Sequence, residues 1–260
     1  MAGLGSNPLR LGLIIPSSNR LTEPQFCRYA PPGVVAHFTR LRMTGPHHRP
    51  LSQLLPDVAE AALALADARA DLIIFHCTGT AMEEGPAGDE RILAAISEAT
   101  GLAAISTGTG VVEALRAVGG QRIALALPQG EKTLHEEAGY LESLGFEVTR
   151  RRGMDFSRSD DYLSVTPAQW VEFVAEMAEP GIDTYFLSCT NTHAIEVVEE
   201  LEQRLGRPVL TSNQATLWYA LRRLGRDDRV PGLGRLFDLA GEPTPAPSSP
   251  RLASLLRTPA

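Results

Sequence analysis

The chain has 260 residues, of which 43% are hydrophobic and 21% charged, and its formal net charge is −7. This length suits about two ordinary domains with full cores. The acidic balance argues against nucleic acid or an anionic membrane as partners, because both require clustered Lys and Arg. No apolar run approaches the ~20 residues of a membrane span. Three cysteines do not make a disulfide framework in a chain this long, so we expect free thiols and a cytoplasmic location.

Short apolar segments alternate with amphipathic ones along the first half of the chain. Continuous apolar runs are typical of strands buried on both faces, and Leu and Ala at helical spacing indicate helices. Strands are predicted at 11–15, 34–41, 71–75 and 102–105, and helices at 52–70, 89–99 and 110–118.

The same alternation returns in the second half, which predicts parallel sheets covered by helices. Strands are predicted at 122–127, 147–151, 184–187 and 208–210, a polar loop at 157–164, and helices at 132–144, 167–177, 193–205 and 214–224. Apolar periodicity fades after Pro231, and residues 241–250 contain four prolines. We therefore predict a Pro-rich tail over 231–260 that is flexible from Glu242 onward.

Two pairs of segments repeat at an offset of 112 residues. Residues 11–16 match 123–128, and 71–80 match 183–192, where an Asp precedes a Cys by six residues and a Cys-Thr-x-Thr turn follows. A third pair, beginning at Ser106 and Ser212, repeats at an offset of 106. The period is too long for a solenoid. It indicates two pseudo-symmetric α/β halves, predicted at 9–118 with 208–226 and at 119–207.

Cys77 and Cys189 follow equivalent strands of the two halves. Ligands of parallel α/β folds bind outside the carboxyl ends of strands, so both thiols should face one cleft between the halves. A lone Cys is more often a small buried hydrophobe, but the symmetric recurrence favours a catalytic pair. Both precede turns that lead toward helices, where unpaired N–H groups would stabilise thiolates. Cys27 lacks this context and is interpreted as structural.

Polar residues that could bind a substrate cluster at the same strand ends. When two thiols act on a substrate carbon next to a carboxylate, a carbanion or enediolate forms there, and its negative charge needs fixed hydrogen-bond donors. The candidate substrate-binding residues are Ser17, Ser18, Asn19, Thr78, Gly79, Thr190 and Asn191. The alternative for 17–19 is an ordinary turn with a helix cap.

Histidines and one glycine-rich turn are weaker candidates. His76 and His193 lie next to the cysteines, but side-chain alternation predicts that His76 points away from the neighbouring thiol. His47 and His48 lack metal-ligand spacing, so we expect a surface role and no metal site. The Thr-Gly-Thr-Gly segment at 107–110 lacks the further Gly and Lys of a phosphate loop and is interpreted as a helix entry.

Together these motifs resemble the maleate cis–trans isomerase family, which is allied with aspartate/glutamate racemases and arylmalonate decarboxylases. The resemblance rests on Pro-Ser-Ser-Asn at 16–19, the turn at Cys77, Ser-Cys-Thr-Asn at 188–191 and Ser-Asn-Gln-Ala at 212–215. It runs from about residue 11 to residue 224. It implies two α/β halves with the active site between them, no cofactor, and a homodimer or larger homo-oligomer.

The resemblance also implies roles for individual residues. Cys77 would add as a thiolate to the alkene carbon of maleate, and Cys189 would exchange a proton before elimination gives fumarate. Asn19 would bind one carboxylate, and Thr78 with nearby N–H groups would hold the other.

The chain departs from the family pattern at two places. Family isomerases usually carry Tyr directly after the proline that corresponds to Pro128, whereas this chain has Gln129, which we expect to face the substrate. The loop at 157–164 also lacks an expected Asn. Both departures bear on the identity of the substrate and leave the thiol pair intact.

We therefore expect a cofactor-independent isomerase of a small dicarboxylate, with maleate to fumarate as the leading reaction. The presence of two cysteines is unlike arylmalonate decarboxylases, which keep only the second. A racemase, epimerase or decarboxylase of an α-substituted carboxylic acid could nevertheless use the same thiols. A carboxylate-binding protein without catalysis is the alternative from another class.

Overall fold

The computed structural model describes residues 8–239, which form two four-stranded parallel sheets flanked by helices. The strands are β1 (Leu9–Pro16), β2 (Val34–Leu41), β3 (Leu72–Phe75), β4 (Ala104–Ser106), β5 (Arg122–Leu127), β6 (Glu147–Gly153), β7 (Thr184–Leu187) and β8 (Val209–Thr211). The first sheet has the order β2-β1-β3-β4 and the second β6-β5-β7-β8. The identical orders confirm the prediction of two similar α/β halves.

Helices connect successive strands, as parallel pairing requires. They are α1 (Thr22–Tyr29), α2 (Leu51–Asp67), α3 (Thr78–Met82), α4 (Gly85–Thr100), α5 (Thr107–Ala117), α6 (Glu131–Ser143), α7 (Ser159–Ser164), α8 (Pro167–Ala175), α9 (Val198–Leu205) and α10 (Ser212–Arg223). Short 3-10 helices cover Gly45–His47, Ala194–Val197 and Arg235–Asp238. Over residues 8–239, no helix is both long and apolar enough to cross a membrane.

The short helices α1, α3 and α7 differ from the sequence prediction. α7 falls inside 157–164, which the sequence predicted as a polar loop. The helix predicted over 193–205 is divided into a 3-10 turn and α9. Helices of five to eight residues are too short to show a helical period, which explains why the pattern missed them.

The two aspartates of the repeat set strand register and lie outside the site. The Asp71 carboxylate accepts a hydrogen bond from the N–H of Arg10 at 2.8 Å, and Asp183 accepts one from Arg122 at 2.8 Å. Each bond joins the start of the third strand in its half to the start of the first strand. The repeat at 112 residues therefore extends to individual hydrogen bonds.

Strand β8 corrects the predicted division of the chain. The sequence analysis grouped 208–226 with the first half, yet β8 pairs with β7 of the second sheet. Helix α10, which follows directly, packs against α5 and α1 of the first half. β8 has only three residues and pairs with β7, whose other edge is already occupied by β5. The β8–α10 junction therefore passes from one half to the other.

One hydrophobic core joins the two halves. It includes Leu13 of the first sheet, Leu125 of the second, and Leu221 of α10, all fully buried. Separate clusters cover the outer face of each sheet, centred on Ile73 and on Tyr185. Each sheet is thus buried on both faces, as its continuous apolar strands predict.

The beginning of the predicted tail is part of this core. Leu233 and Leu236 are fully buried, and Phe237 is 2% exposed. The Gln214 side chain donates a hydrogen bond to the Leu233 carbonyl at 2.6 Å. The prediction of a tail beginning at 231 is therefore wrong for 231–239. This segment is too short to show a helical or strand period in its apolar residues, so the sequence pattern did not reveal its docking. The remainder of the predicted tail lies outside the described residues.

The buried position of Leu236 predicts a large loss of stability on truncation. We expect Leu236→Ala to lower the free energy of unfolding by roughly 2–4 kcal/mol in urea denaturation, because it leaves a cavity in the core. The matched control is Leu63→Ala on α2, where the side chain is 42% exposed and the loss should stay within about 0.5 kcal/mol. Equal stability of the two variants would contradict the docking of 231–239.

Candidate active site

A cavity of about 600 Å³ lies at the carboxyl ends of the central strands, between the two halves. Strands β1, β3, β5 and β7 all end at its wall. The cavity is lined by every residue that the sequence predicted for the site: Ser17, Ser18, Asn19, Cys77, Thr78, Gly79, Gln129, Cys189, Thr190 and Asn191. The structure therefore brings together residues that are up to 174 positions apart (17 to 191).

Cys77 follows β3 and is the N-cap residue of α3. Its side chain is 7% exposed, and its Sγ lies 3.3 Å from the Thr80 hydroxyl. Burial raises the pKa of the Cys77 thiol, and the negative charges of Glu137 and Glu83 add to this effect. Hydrogen bonds from Thr80 act in the opposite direction but do not prevail. The stabilisation of the thiolate expected at a helix N-terminus is therefore outweighed by desolvation, which is the larger effect.

Cys189 follows β7 and has a strained backbone. Its φ of +99° lies in a region that residues other than glycine rarely adopt. Such strain concentrates at functional sites, where the surrounding structure holds it in place. The N–H of Asn191 approaches the Cys189 sulfur at 3.5 Å. Burial raises the pKa of this thiol to about 12, opposed by Asn191 and by a hydrogen bond from the Gln129 side chain.

The two thiols influence one another electrostatically. A negative charge on Cys77 raises the pKa of Cys189, so ionisation of both is disfavoured. Such a pair titrates as a unit, with one thiolate and one thiol as its singly ionised state. That state contains a nucleophile and a proton donor on the walls of one cavity.

Ser212, which the sequence analysis did not assign to the site, connects the two cysteine loops. Its fully buried hydroxyl accepts a hydrogen bond from the Thr78 hydroxyl at 2.8 Å and one from the Cys189 N–H at 3.1 Å. One oxygen atom therefore fixes the residue after one thiol and the backbone of the other. The Ser-Asn pair at 212–213 is part of a motif shared with the resembling family, and this motif could have assigned Ser212 to the site.

Asn213 extends this network away from the cavity. Its amide donates to the Thr190 carbonyl at 3.1 Å, and its carbonyl oxygen lies 2.8 Å from His76 Nε2. His76 Nδ1 lies 3.0 Å from the Thr107 hydroxyl. The imidazole is fully buried, does not line the cavity, and has its pKa lowered by burial to about 4. The prediction that His76 points away from the thiol is confirmed, and its role is to hold Asn213.

Asn19 bridges the two halves at the cavity wall. Its amide nitrogen lies 3.1 Å from the Thr190 hydroxyl and 3.2 Å from the Thr190 carbonyl. Its carbonyl oxygen accepts hydrogen bonds from the N–H groups of Leu21 and Thr22, where α1 begins. Asn19 therefore closes the turn that leads into α1 and also lines the cavity, and its contact with a substrate stays a prediction.

Unpaired polar atoms mark the wall beside Cys189. The Asn191 side-chain nitrogen and the Gln129 side-chain oxygen are buried and have no hydrogen-bond partner among the described residues. An unpaired buried polar group costs about 1–3 kcal/mol. Because both residues line the cavity, a bound ligand with oxygen atoms and exchangeable protons could satisfy them.

The remaining candidates lie at the edge of the site or outside it. His47 and His48 line the mouth, where His48 Nε2 is 2.7 Å from the Glu83 carboxylate. His193 pairs with Glu196 away from the cavity. The 107–110 segment begins α5, as predicted. Cys27 is exposed on α1, so it is not a core residue. Within 8–239, no group of three or more His, Cys, Asp or Glu residues is arranged to hold a metal ion.

Helix α6 places a buried acid near both thiols. Glu137 is 1% exposed, and neither of its carboxyl oxygens has a hydrogen-bond partner of good geometry among the described residues. Its charge contributes to the raised pKa of Cys77 and of Cys189. Burial raises the pKa of Glu137 itself to about 8, opposed by the Ser188 hydroxyl. At neutral pH this carboxyl group is therefore mostly protonated and adds no second negative charge beside the singly ionised thiol pair.

Removing the Ser212 hydroxyl should loosen both cysteine loops. We expect Ser212→Ala to lower the free energy of unfolding by about 1–3 kcal/mol, because the Cys189 N–H and the Thr78 hydroxyl lose their buried acceptor. Amide hydrogen exchange at Cys189 should accelerate as well. Ser143→Ala on α6, where the hydroxyl bonds only the Tyr140 carbonyl of its own helix, is the control. Unchanged exchange at Cys189 would remove Ser212 from this role.

Glu137 should make folding stability depend on pH. Since its pKa is raised on folding, stability is fully present below the unfolded-state pKa of about 4.5 and declines as pH rises toward 8. Glu137→Gln should abolish this decline, which is on the order of 3–5 kcal/mol at about 1.4 kcal/mol per pKa unit.

Urea denaturation at pH 5, 7 and 8.5 would measure the difference between wild type and Glu137→Gln. Glu142→Gln, an exposed substitution on the same helix, should retain the wild-type profile. A wild-type profile for Glu137→Gln would show that the buried carboxyl does not keep its proton.

The sequence and the fold both match known proteins. The model of the arylmalonate decarboxylase family matches residues 11–237. A maleate isomerase of Nocardia farcinica is 29% identical over 88% of this chain and 95% of its own length. An arylmalonate decarboxylase of Bordetella bronchiseptica is 30% identical over 71% of this chain and 78% of its own length.

Solved structures agree with these relatives. A Cys-to-Ser mutant of the Nocardia farcinica maleate cis–trans isomerase, solved with a covalently bound succinylcysteine intermediate, superposes with a TM-score of 0.80. The two chains are 27% identical, and the match covers 88% of this chain and 98% of the other. Since the family model matches residues 11–237, the chain belongs to the arylmalonate decarboxylase family, and maleate isomerases are among the proteins to which it is similar.

Proposed function

We propose that this protein is a cofactor-independent cis–trans isomerase that converts maleate to fumarate. The observation that carries the proposal is the presence of two thiols, the buried Cys77 and the half-buried Cys189, on the walls of one cavity between the halves. The isomerisation is redox-neutral and needs a nucleophile and a proton donor, which the singly ionised thiol pair supplies.

In the first step the Cys77 thiolate adds to one alkene carbon of maleate. The C–S bond forms as the π electrons move to the neighbouring carbon, where they are delocalised into the adjacent carboxylate as an enediolate. The Cys189 thiol then donates its proton to that carbon. The product is a succinyl thioether of Cys77, and the former double bond is now a single bond that can rotate.

The second step reverses the first after rotation. The Cys189 thiolate removes a proton from the same carbon, and the electron pair expels the Cys77 thiolate to leave the trans alkene. No electron, proton or leaving group is lost overall. The succinylcysteine intermediate seen in the Nocardia farcinica relative is the adduct that this scheme requires.

Burial of the two thiols suits this division of roles. Their raised pKa values keep most of the resting pairs doubly protonated, which limits side reactions of a free thiolate, and the reaction starts from the singly ionised minority. Cys77 is the better placed nucleophile, because it caps α3 and has the Thr80 hydroxyl and N–H at its sulfur. Cys189, held by Ser212 and hydrogen-bonded by Gln129, is placed to store the proton.

A decarboxylase or racemase of an α-substituted carboxylic acid is the second candidate. The Bordetella bronchiseptica relative favours it, and Gln129 stands where the resemblance leads us to expect Tyr. These reactions also pass through an enediolate beside a thiol. They differ in requiring no nucleophilic addition by Cys77.

We also propose a cytoplasmic enzyme that forms a homodimer or larger homo-oligomer. The free thiols support the first point, and the resemblance supports the second. Light scattering of the purified chain in solution would measure its assembly state.

Proton NMR of maleate incubated with the protein in D₂O tests the main proposal. Wild type should produce fumarate, whereas Cys77→Ser should produce none, because a serine hydroxyl ionises far less readily than a thiol. Cys189→Ser should lose at least ~10²-fold in rate, since it lacks the proton donor. Cys27→Ser, which changes an exposed thiol outside the cavity, should retain wild-type activity.

The outcomes separate the candidate functions. A fully active Cys77→Ser protein would contradict covalent addition. If wild type forms no fumarate but exchanges the α-hydrogen of a substituted acid for deuterium, the second candidate replaces the first. If neither reaction occurs, binding of maleate that survives Cys77→Ser would identify a carboxylate-binding protein.

A further inference from the structure

Helix α7 of the second half is attached to the first half across the cavity. The Ser159 hydroxyl bonds the Ser18 hydroxyl at 3.1 Å, and Asp160 forms an ion pair with Arg20. Both partners belong to the turn that follows β1. Residues of α7 also line the cavity beside the two thiols. The helix therefore forms a wall of the cavity that is held from the opposite side.

Tyr162 is on α7 and lines the cavity, where it interacts electrostatically with both thiols. Burial raises its pKa to about 12, and the charges of Cys189 and Cys77 contribute to that rise. The phenol therefore keeps its proton at neutral pH. It makes no hydrogen bond to another described residue, so its O–H is available to a ligand.

The cationic side chains Lys132 and Arg158 of the cavity are already engaged. Lys132 lies 3.6 Å from Glu83 and 3.4 Å from Glu136, so its charge is balanced by carboxylates. Arg158 lies 3.7 Å from Asp160. The Gln129 side chain is hydrogen-bonded to the Cys189 thiol. Recognition of a carboxylate next to the thiols therefore falls to neutral donors, of which the Asn191 amide nitrogen and the Tyr162 phenol are free among the described residues.

We propose that Tyr162 is a substrate-contacting residue whose phenol donates a hydrogen bond to a carboxylate of the bound acid. The assignment to a dicarboxylate rests on the proposed function, whereas recognition of a carboxylate group does not. A donor fixed by α7 strengthens its bond as charge develops on the enediolate, so it contributes to the rate as well as to binding. Tyr162 would thus supply from α7 a phenol that this chain lacks at position 129, where it has Gln.

Kinetics of Tyr162→Phe test the contribution to the reaction. This substitution removes only the hydroxyl and should lower kcat/KM for maleate by ~10–100-fold, with part of the loss in kcat. Tyr219→Phe on α10, which also removes one partly buried phenol but outside the cavity, is the matched control and should stay near wild type. Thermal unfolding of both variants should remain near that of wild type. An unchanged kcat/KM for Tyr162→Phe would overturn the proposal.

Alkylation of the thiols tests carboxylate recognition without relying on isomerase activity. Iodoacetate carries a carboxylate and iodoacetamide does not, so the ratio of their rates at Cys77 and Cys189 reports the carboxylate site. The ratio, followed by mass spectrometry, should fall about tenfold in Tyr162→Phe, as expected for loss of one hydrogen bond to a charged group, and not in Tyr219→Phe. An equal ratio in both variants would overturn the proposal. If wild type is inactive on maleate, the isomerase proposal fails and this ratio still decides the role of Tyr162.

Discussion

The buried hydroxyl of Ser212 is the contact on which the geometry of the site depends. It accepts hydrogen bonds from Thr78, next to one thiol, and from the backbone of Cys189, the other thiol. Ser212 can reach both because the chain crosses between the halves there, from β8 of the second sheet into α10 on the first half. The shared core fixes the two sheets, and this junction fixes the two cysteine loops relative to one another.

The near-symmetry of the halves is broken where chemistry requires different environments. Gln25 and Glu137 stand at the repeat offset of 112 residues, and both are buried. Gln25 donates to the Thr192 carbonyl at 2.8 Å and is neutral at every pH, whereas Glu137 can ionise. His76 and Ser188 also occupy equivalent positions of the repeat, but only His76 has hydrogen-bond partners at both ring nitrogens, Asn213 and Thr107. A symmetric scaffold thus surrounds two equivalent thiols with unequal groups.

Burial gives the thiols their chemical character. Desolvation raises the pKa of each thiol, mutual repulsion disfavours a doubly ionised pair, and the neutral form of Glu137 avoids a second negative charge beside the single thiolate. The positive φ of Cys189 shows that the backbone is held in an unfavourable conformation at this position. The result is a buried and a half-buried thiol on the wall of one cavity.

The two α/β halves, the strand-end cleft and ten of the residues that line it could be predicted from the sequence. The halves and the cleft follow from local apolar runs and from the rule that parallel strands end at one edge, which requires no knowledge of packing, whereas Gln129 was identified through the family resemblance. The sheet that β8 joins, the docking of 231–239, the link that Ser212 makes between the cysteine loops and the place of Tyr162 at the cavity wall required the three-dimensional structure. The same holds for the desolvation that raises the pKa of each thiol. These properties depend on which distant groups meet and how much water they exclude, and neither is encoded in a local pattern of residues.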